Sequence, residues 1–324
     1  MMVIAHVTAL TLAYLLDLLF GDPRTKYHPV VLMGNMISTF ERLFNKGRAR
    51  KWKGLIATLI PGLAIAMIVF LFMAVAYHVH LAIGVLLEAC ILWGCIGGKS
   101  MISHIENIYE HLENRQIKAA RQETAMIVSR DTTQLSEEEM VRASLESIGE
   151  NISDSVTAPM LYALIGGAPL AVFYRFMNTS DAMIGYRTSR YEQYGWGAAR
   201  IDDVLNLIPS RITALCMTTA VWYVNQTKWL QAFKVTWEHA KLHESPNAGY
   251  GEAAMAGILN VRLGGPTKYR GEMIDRPFFG RGERKLDIPC LQDGLLVWRV
   301  TLVHFIVFLW MFGGVTWLTQ SVLS

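Results

Sequence analysis

The chain has 324 residues, 52% of them hydrophobic and 18% charged, with a mean hydropathy of +0.28. Soluble domains carry about a quarter charged residues, so this balance excludes an ordinary soluble domain and points to an integral membrane protein. The net charge of +3 is too small, and the basic residues too blocked, for a nucleic-acid partner.

A spanning helix needs roughly 20 mostly apolar residues. Residues 1–20 qualify, with Asp17 near the end. No Lys or Arg precedes this run and no small-residue cleavage site follows, so a retained helix is expected. The loop 21–54 holds Arg24, Lys26, Arg42, Lys46, Arg48, Arg50, Lys51 and Lys53. The positive-inside rule places it in the cytoplasm. Residues 55–77 and 79–98 are expected spans, joined by the tight connection Tyr77-His78-Val79-His80. Glu88 lies within the second. A carboxylate there is a functional candidate by default, or it pairs with a polar neighbour.

Residues 99–154 read as cytoplasmic, helical and amphipathic. Two later runs are less clean. Pro159 and Gly166-Gly167-Ala168-Pro169 interrupt 156–177, and charges with Pro209 mark 203–224. Non-helical backbone at membrane depth survives only when buried in protein or lining a wet cavity. Both runs are therefore expected as broken or re-entrant helices. Residues 225–296 are expected as a second cytoplasmic helical segment, and 299–319 as the last span. The expected fold class is all-α, a single polytopic membrane domain. The four cysteines, Cys90, Cys95, Cys216 and Cys290, show no CxxC or Cys/His metal spacing.

The polar motifs crowd toward these apolar runs. In "RASLESIGENISDSVTAPM", Arg142, Glu146, Glu150 and Asp154 recur every four residues. On a helix they share one face, with Ser147 and Asn151 beside them. Arg142 can pair with Glu146, which leaves Glu150 and Asp154 without a partner in sequence. Mg²⁺ held by one or two carboxylates plus substrate phosphates resolves such a pair; a solvated helix face is the plain alternative. In "SRDTTQLSEEE", Asp131 or Thr132 can cap one helix, and Ser136 with Glu139 fits a capping box. Arg130 remains a candidate phosphate ligand.

The segment 174–211 carries Arg175, Arg187, Arg190 and Arg200 ahead of Arg211, with Asn178, Asp181, Asp202, Asp203 and Asn206. Its DDxxN pattern mirrors the ENxxD of Glu150, Asn151 and Asp154. Acidic helix ends hold metal and phosphate when arginines take the remaining phosphate oxygens; interfacial snorkelling explains any single residue equally well. In "HESPNAGYGEAAMAGILNVRLGG", Asn247 and Gly249 can expose backbone N–H groups to an anion, with Glu252 in the first turn; an N-cap before a close-packed small-residue helix is the alternative. His28-Pro29 is a candidate ligand-contact segment. "GCIGGKS", 94–100, is not a phosphate loop: three residues rather than four separate Gly94 and Gly98, and no strand precedes them.

These stretches, with "DLLFGDPRTKYHPV", resemble the CobD/CbiB family of integral membrane cobalamin-biosynthesis proteins, the adenosylcobinamide-phosphate synthases. The likeness runs to about residue 270; Ser155 departs where a glycine is expected. The resemblance implies ATP-dependent joining of a carboxylate of adenosylcobyric acid, a corrinoid, to aminopropanol or its phosphate. It places the protein in a bacterial or archaeal inner membrane with its active site facing the cytoplasm. A homo-oligomer, or a membrane complex with other cobalamin-assembly enzymes, is among the expected states. Under that reading Glu150, Asp154, Asp202 and Asp203 hold Mg²⁺, and Glu146 is a metal ligand or general base. Arg130, Arg187, Arg190 and Arg211 hold phosphates, while Asn151, Asn178 and Asn247 orient the acyl group or corrin amides. His28, Asp181 and Asn206 complete the substrate contacts. A membrane Mg-dependent phospho- or prenyl-transferase and a non-enzymatic membrane sensor of the same superfamily are the rival readings.

Overall fold

The computed structural model describes residues 2–23, 25–269 and 271–323, with side chains described to residue 319 at the C-terminal end. Arg24, one of the basic residues counted above, lies outside the described residues, as does Met1 of the first expected span. Among the described residues, six helices are long and apolar enough to cross a membrane: Met2–Phe20, Arg50–Val79, Leu81–Glu113, Glu137–Ile184, Leu207–Val224 and Ile288–Thr319. The protein is an all-α polytopic membrane protein. Its chain divides into two compact units, one of Met1–Gly97, Ala158–Asn206 and Ile306–Ser324, the other of Gly98–Thr157 and Leu207–Phe305.

The first unit contains α1 (Met2–Phe20), α2 (Pro29–Phe44), α3 (Arg50–Val79), α4 (Leu81–Trp93), α8 (Ala158–Ile184) and α9 (Trp196–Leu205). Helix α3 buries little and turns Ile56, Ile60, Leu63 and Met67 outward. An apolar outward face is the pattern of a helix solvated by lipid. Inside, Met33, Ile37, Val172, Phe176, Met177 and Tyr194 share one core cluster. His80 separates α3 from α4 with an extended backbone, and its Nδ1 accepts the N–H of Ala82 at 3.1 Å.

Helix α8 is broken where the sequence places its glycine pair. Gly166 has φ −141° and Gly167 has φ 65°, ψ −163°, a region open only to glycine. The break frees the N–H of Ala168, which donates to Glu88 Oε1 at 2.8 Å. Glu88 also receives the Tyr77 hydroxyl, and His6 Nδ1 lies 3.0 and 2.9 Å from its two oxygens. A buried carboxylate is tolerated when its lone pairs are filled in this way.

The second unit contains α5 (Gly98–Glu113), α6 (Ile117–Thr124), α7 (Glu137–Ile152), α10 (Leu207–Thr218), α11 (Val221–Val224), α12 (Trp229–His239), α13 (Ala248–Leu259) and the start of α14 (Ile288–Leu323). Ser136 and Glu139 form the expected capping box on α7. Asp131 caps no helix: its Oδ2 accepts the N–H of Gly271 at 2.7 Å, and its own N–H donates to Lys268.

That partner segment corrects the expectation of helix throughout 225–296. Four short strands between Leu263 and Phe279 pair as two small antiparallel ribbons. In one, β1 (Leu263–Gly264) pairs with β4 (Phe278–Phe279); in the other, β2 (Thr267–Tyr269) pairs with β3 (Glu272–Ile274). Gly264, Gly265 and Gly271 all take positive φ, and Pro266 and Pro277 lack the N–H a helix needs.

Candidate active site

Helices α7 and α13 cross at two glycines. A Cβ on Gly149 would lie 2.7 Å from the carbonyl oxygen of Gly251, and one on Gly251 would collide with the carbonyl of Gly149. Two side chains of hydrogen let the backbones touch. The crossing sets Glu146 and Glu150 of α7 beside Glu252 of α13.

Around that crossing lies a buried ion network. The Arg130 guanidinium binds Glu146 Oε2. Arg276 donates Nη1 to Glu146 Oε2 at 3.3 Å and Nη2 to both Glu252 oxygens at 3.2 and 3.1 Å. Gly264 N–H takes Glu146 Oε1 at 2.8 Å, so Glu146 also clamps the ribbon. His243 Nδ1 accepts the N–H of Ser245 at 2.8 Å. Its proton therefore sits on Nε2, 3.4 Å from Glu252 Oε1.

The expected Arg142–Glu146 pair is not formed. Glu146 has two other arginines, and Arg142 Nε is buried without a hydrogen-bond partner among the described residues. Both oxygens of Glu146 are occupied. Glu150 differs: it is exposed, makes no hydrogen bond among the described residues, and has Glu252, His243, Arg276 and Glu146 within electrostatic reach. Arg130 and Arg276 are taken by Glu146 and Glu252, and Glu150 stands beside them with no ion pair among the described residues.

The stripe itself ends early. Residues Ser153–Thr157 form a π-turn, with Thr157 Oγ1 bonded to the Ile152 carbonyl at 3.3 Å and to Thr213 Oγ1 at 2.5 Å. Asp154 is the second residue of this turn, beyond the regular α-helix that carries Glu146 and Glu150. Asn151 turns back on its own helix and donates to the Ser147 carbonyl at 3.0 Å.

Among the described residues no group of three or more His, Cys, Asp or Glu side chains is arranged to hold a metal. An ion needing one or two carboxylates and substrate oxygens fits the open carboxylate of Glu150. It does not fit Glu146, whose oxygens are filled by donors.

Arg211 and Asn247 lie together in this unit. Arg211 Nη1 donates to Asn247 Oδ1 at 3.3 Å and to the Leu207 carbonyl at 2.6 Å, and its guanidinium sits 4.3 Å from the Tyr250 ring centre. The N–H groups of Asn247 and Ala248 are taken by Ser245 Oγ at 3.2 and 3.3 Å, so the start of α13 does not present them to an anion. Gly249 serves packing, because a Cβ there would strike the Ala240 carbonyl.

The first unit carries a different polar network. Tyr174 donates its hydroxyl to Asn206 Oδ1 at 2.9 Å, and Asn206 Nδ2 donates to Asp202 Oδ2 at 3.0 Å. Asn178 Nδ2 reaches Asp202 Oδ1 at 3.4 Å, and Arg175 Nη1 reaches Asn178 Oδ1 at 3.4 Å. Burial pushes the Asp202 carboxyl up to about 6; the two amides pull against it and Asp203 adds to it. Burial also raises Asp203, opposed by Arg200 and Arg187. Asp181, at the end of α8, is half-buried, and Arg187 beyond it is exposed. Arg190 binds Glu41 with Nε at 3.1 Å and Nη2 at 2.9 Å, which holds the Glu41 carboxyl below its ordinary range. His28 caps α2: its Nδ1 accepts the N–H of Val30 at 3.3 Å, and Nε2 lies 3.6 Å from Asp22.

The sequence reading missed Arg276 and His243 as site residues. One signal was present. Glu252 sits in an otherwise small and apolar helix, and a buried carboxylate demands a cation; Arg276 in the following loop supplies it.

A polytopic helical membrane protein with a paired charge network around one accessible carboxylate is the class that fold and site define. The chain belongs to the CobD/CbiB family, described as CobD/CbiB protein, which matches residues 10–315. It is 41% identical over 313 residues to the cobalamin biosynthesis protein CobD of Halalkalibacterium halodurans, covering 97% of this chain and 98% of that relative. The protein of the same name from Geobacter metallireducens is 39% identical over 276 residues, 85% of this chain and 86% of the relative. That from Clostridium perfringens is 35% identical over 281 residues, 86% and 88% of the two chains. No solved structure matches.

Proposed function

We propose that this protein acts in cobalamin biosynthesis as an ATP-dependent amide synthase. It joins a carboxylate of adenosylcobyric acid to the amine of aminopropanol or aminopropanol phosphate. The observation that carries the reading is the network around Glu150: Glu146 and Glu252 are held by Arg130 and Arg276, while Glu150 beside them is exposed and has no hydrogen bond or ion pair among the described residues. Such a site receives a cationic group without reorganising. The names of the relatives supply the pathway.

In this reaction the substrate carboxylate attacks the terminal phosphorus of ATP, and ADP leaves. The amine nitrogen then attacks the acyl carbon, phosphate departs, and one proton is released. Glu150 would hold Mg²⁺ when the ion is bound, and the ion would supply charge neutralisation for the transferred phosphoryl group. Arg211 offers a guanidinium to phosphate, anchored by the ring of Tyr250. Asn247, fixed by Arg211 and Ser210, orients an amide of the corrin. Glu146 acts here as a positioning residue through Arg276, because its oxygens are already filled. The bilayer, the corrinoid, the amine and ATP are the partners this assignment requires, with the chemistry at the cytoplasmic face of an inner membrane.

The test is turnover by purified full-length protein. It is supplied with adenosylcobyric acid, Mg-ATP and either aminopropanol phosphate or free aminopropanol, and the corrinoid mass is followed. A mass gain equal to the amide, absent without ATP, is expected. Folded protein that forms no amide with either amine, yet processes a prenyl or lipid diphosphate, would overturn the assignment.

A further inference from the structure

We propose that the junction of α2 and α3 is a binding site for anionic phospholipid headgroups. Lys46, Arg48, Arg50, Lys51 and Lys53 fall within eight residues. All are exposed or half-buried. Among the described residues none of the five pairs with a carboxylate: Lys53 Nζ donates to the Lys46 carbonyl at 2.9 Å, and Lys51 Nζ stands 3.8 Å from the Trp196 ring centre. Residues 42–87 contain no Asp or Glu, and the preceding Glu41 is held by Arg190 and Asn45.

The helix start gives a second, independent sign. Arg50, Lys51 and Lys53 occupy the first turn of α3, which has no acidic residue there; its N-cap Ala49, at φ 60°, gives no side-chain cap. A helix N-terminus carries partial positive charge, so cations in its first turn are destabilising and an anion is stabilising. Three cations and uncapped N–H groups at one point call for an external anion.

The surroundings select lipid. Trp52 is exposed at the centre of the patch, and Ile56, Ile60, Leu63 and Met67 continue from it along one exposed face. The cations therefore sit where a lipid-facing apolar stripe begins, with tryptophan at the level it favours in membranes. Helix α9 packs closely on this part of α3: a Cβ on Gly197 would lie 2.7 Å from Leu55 Cα.

The experiment uses full-length protein in detergent doped with equal amounts of phosphatidylglycerol and phosphatidylcholine, with retained lipid counted by native mass spectrometry. Wild-type protein is expected to retain phosphatidylglycerol over phosphatidylcholine, and to lose it as salt rises. Replacing all five cations by glutamine should lower that retention about tenfold or more, since each cation near an anionic surface adds to the attraction. Removing five other exposed cations, at Arg115, Lys118, Lys228, Lys241 and Lys285, should leave it unchanged. Should the fivefold variant fail to fold, the pair Arg48→Gln and Arg50→Gln is the reduced test, read beside the wild-type salt series. No lipid preference in the wild type, or equal retention by patch and control variants, overturns the proposal.

Discussion

Glu146 in the second unit and Asp202 in the first are both buried carboxylates, and their surroundings differ in kind. Two guanidiniums and a backbone N–H face Glu146. Neutral amides face Asp202, and its carboxyl is pushed up to about 6. Full counter-charges hold a buried acid as an anion, whereas amides compensate only part of the lost hydration. One network is built to stay charged. The other sits near the point of taking a proton.

The contrast can be broken most severely at the glycine crossing. Gly251→Ala places a methyl against the Gly149 carbonyl, so α7 and α13 must separate. A loss of several kcal/mol is expected, read as failure of the protein to survive purification or as a collapsed thermal midpoint. A wild-type midpoint would mean the crossing is not tight.

Next comes Arg276→Ala, which leaves Glu252 without its guanidinium and Glu146 with one. Breaking a buried pair on one side typically costs about 3–5 kcal/mol. A double-mutant cycle with Glu252→Gln should return a large coupling energy; additive effects would show the two side chains to be independent.

Glu150→Gln separates charge from fold. No ion pair is lost, and repulsion from Glu252 and Glu146 is relieved. The thermal midpoint should hold or rise, while amide formation falls by about 100-fold or more. Full activity in this variant removes Glu150 from the site.

The smallest effect belongs to Asp202. Its folded pKa of about 6 lies above an unfolded value near 3.9. Between those values the folded chain binds the extra proton, so this residue adds stability as pH falls from about 6 toward about 4 and opposes folding above 6. The full contribution is about 3 kcal/mol, of which about 1 kcal/mol falls between pH 7 and pH 5. Thermal midpoints of wild type and Asp202→Asn, compared from pH 7 to pH 5, should show the slope lost in the variant. Parallel curves would mean that Asp202 is already paired with a cation.

Much of the architecture was legible in the residues because its signals are local. Apolar runs of membrane length, the Gly166-Gly167 break, the Ser136–Glu139 capping box and the His80 junction each depend on a few neighbouring residues. The resemblance also led to the right family, since its motifs lie in continuous stretches. The ribbons at 263–279 were read as helix, although Gly264, Gly265 and Gly271 already marked a chain that turns.

What tertiary structure alone decided is which charges meet. From spacing, Arg142 and Glu146 are partners; in the fold, Glu146 reaches Arg130, sixteen residues back, and Arg276, far ahead in the chain. A π-turn at Ser153–Thr157, with Thr157 bonded to Thr213, ends the regular helix before Asp154. Helical periodicity reports neighbours along one element. The free energy of a buried charge is set by whatever other elements bring to it, and that arrangement exists only once the backbones have crossed at Gly149 and Gly251.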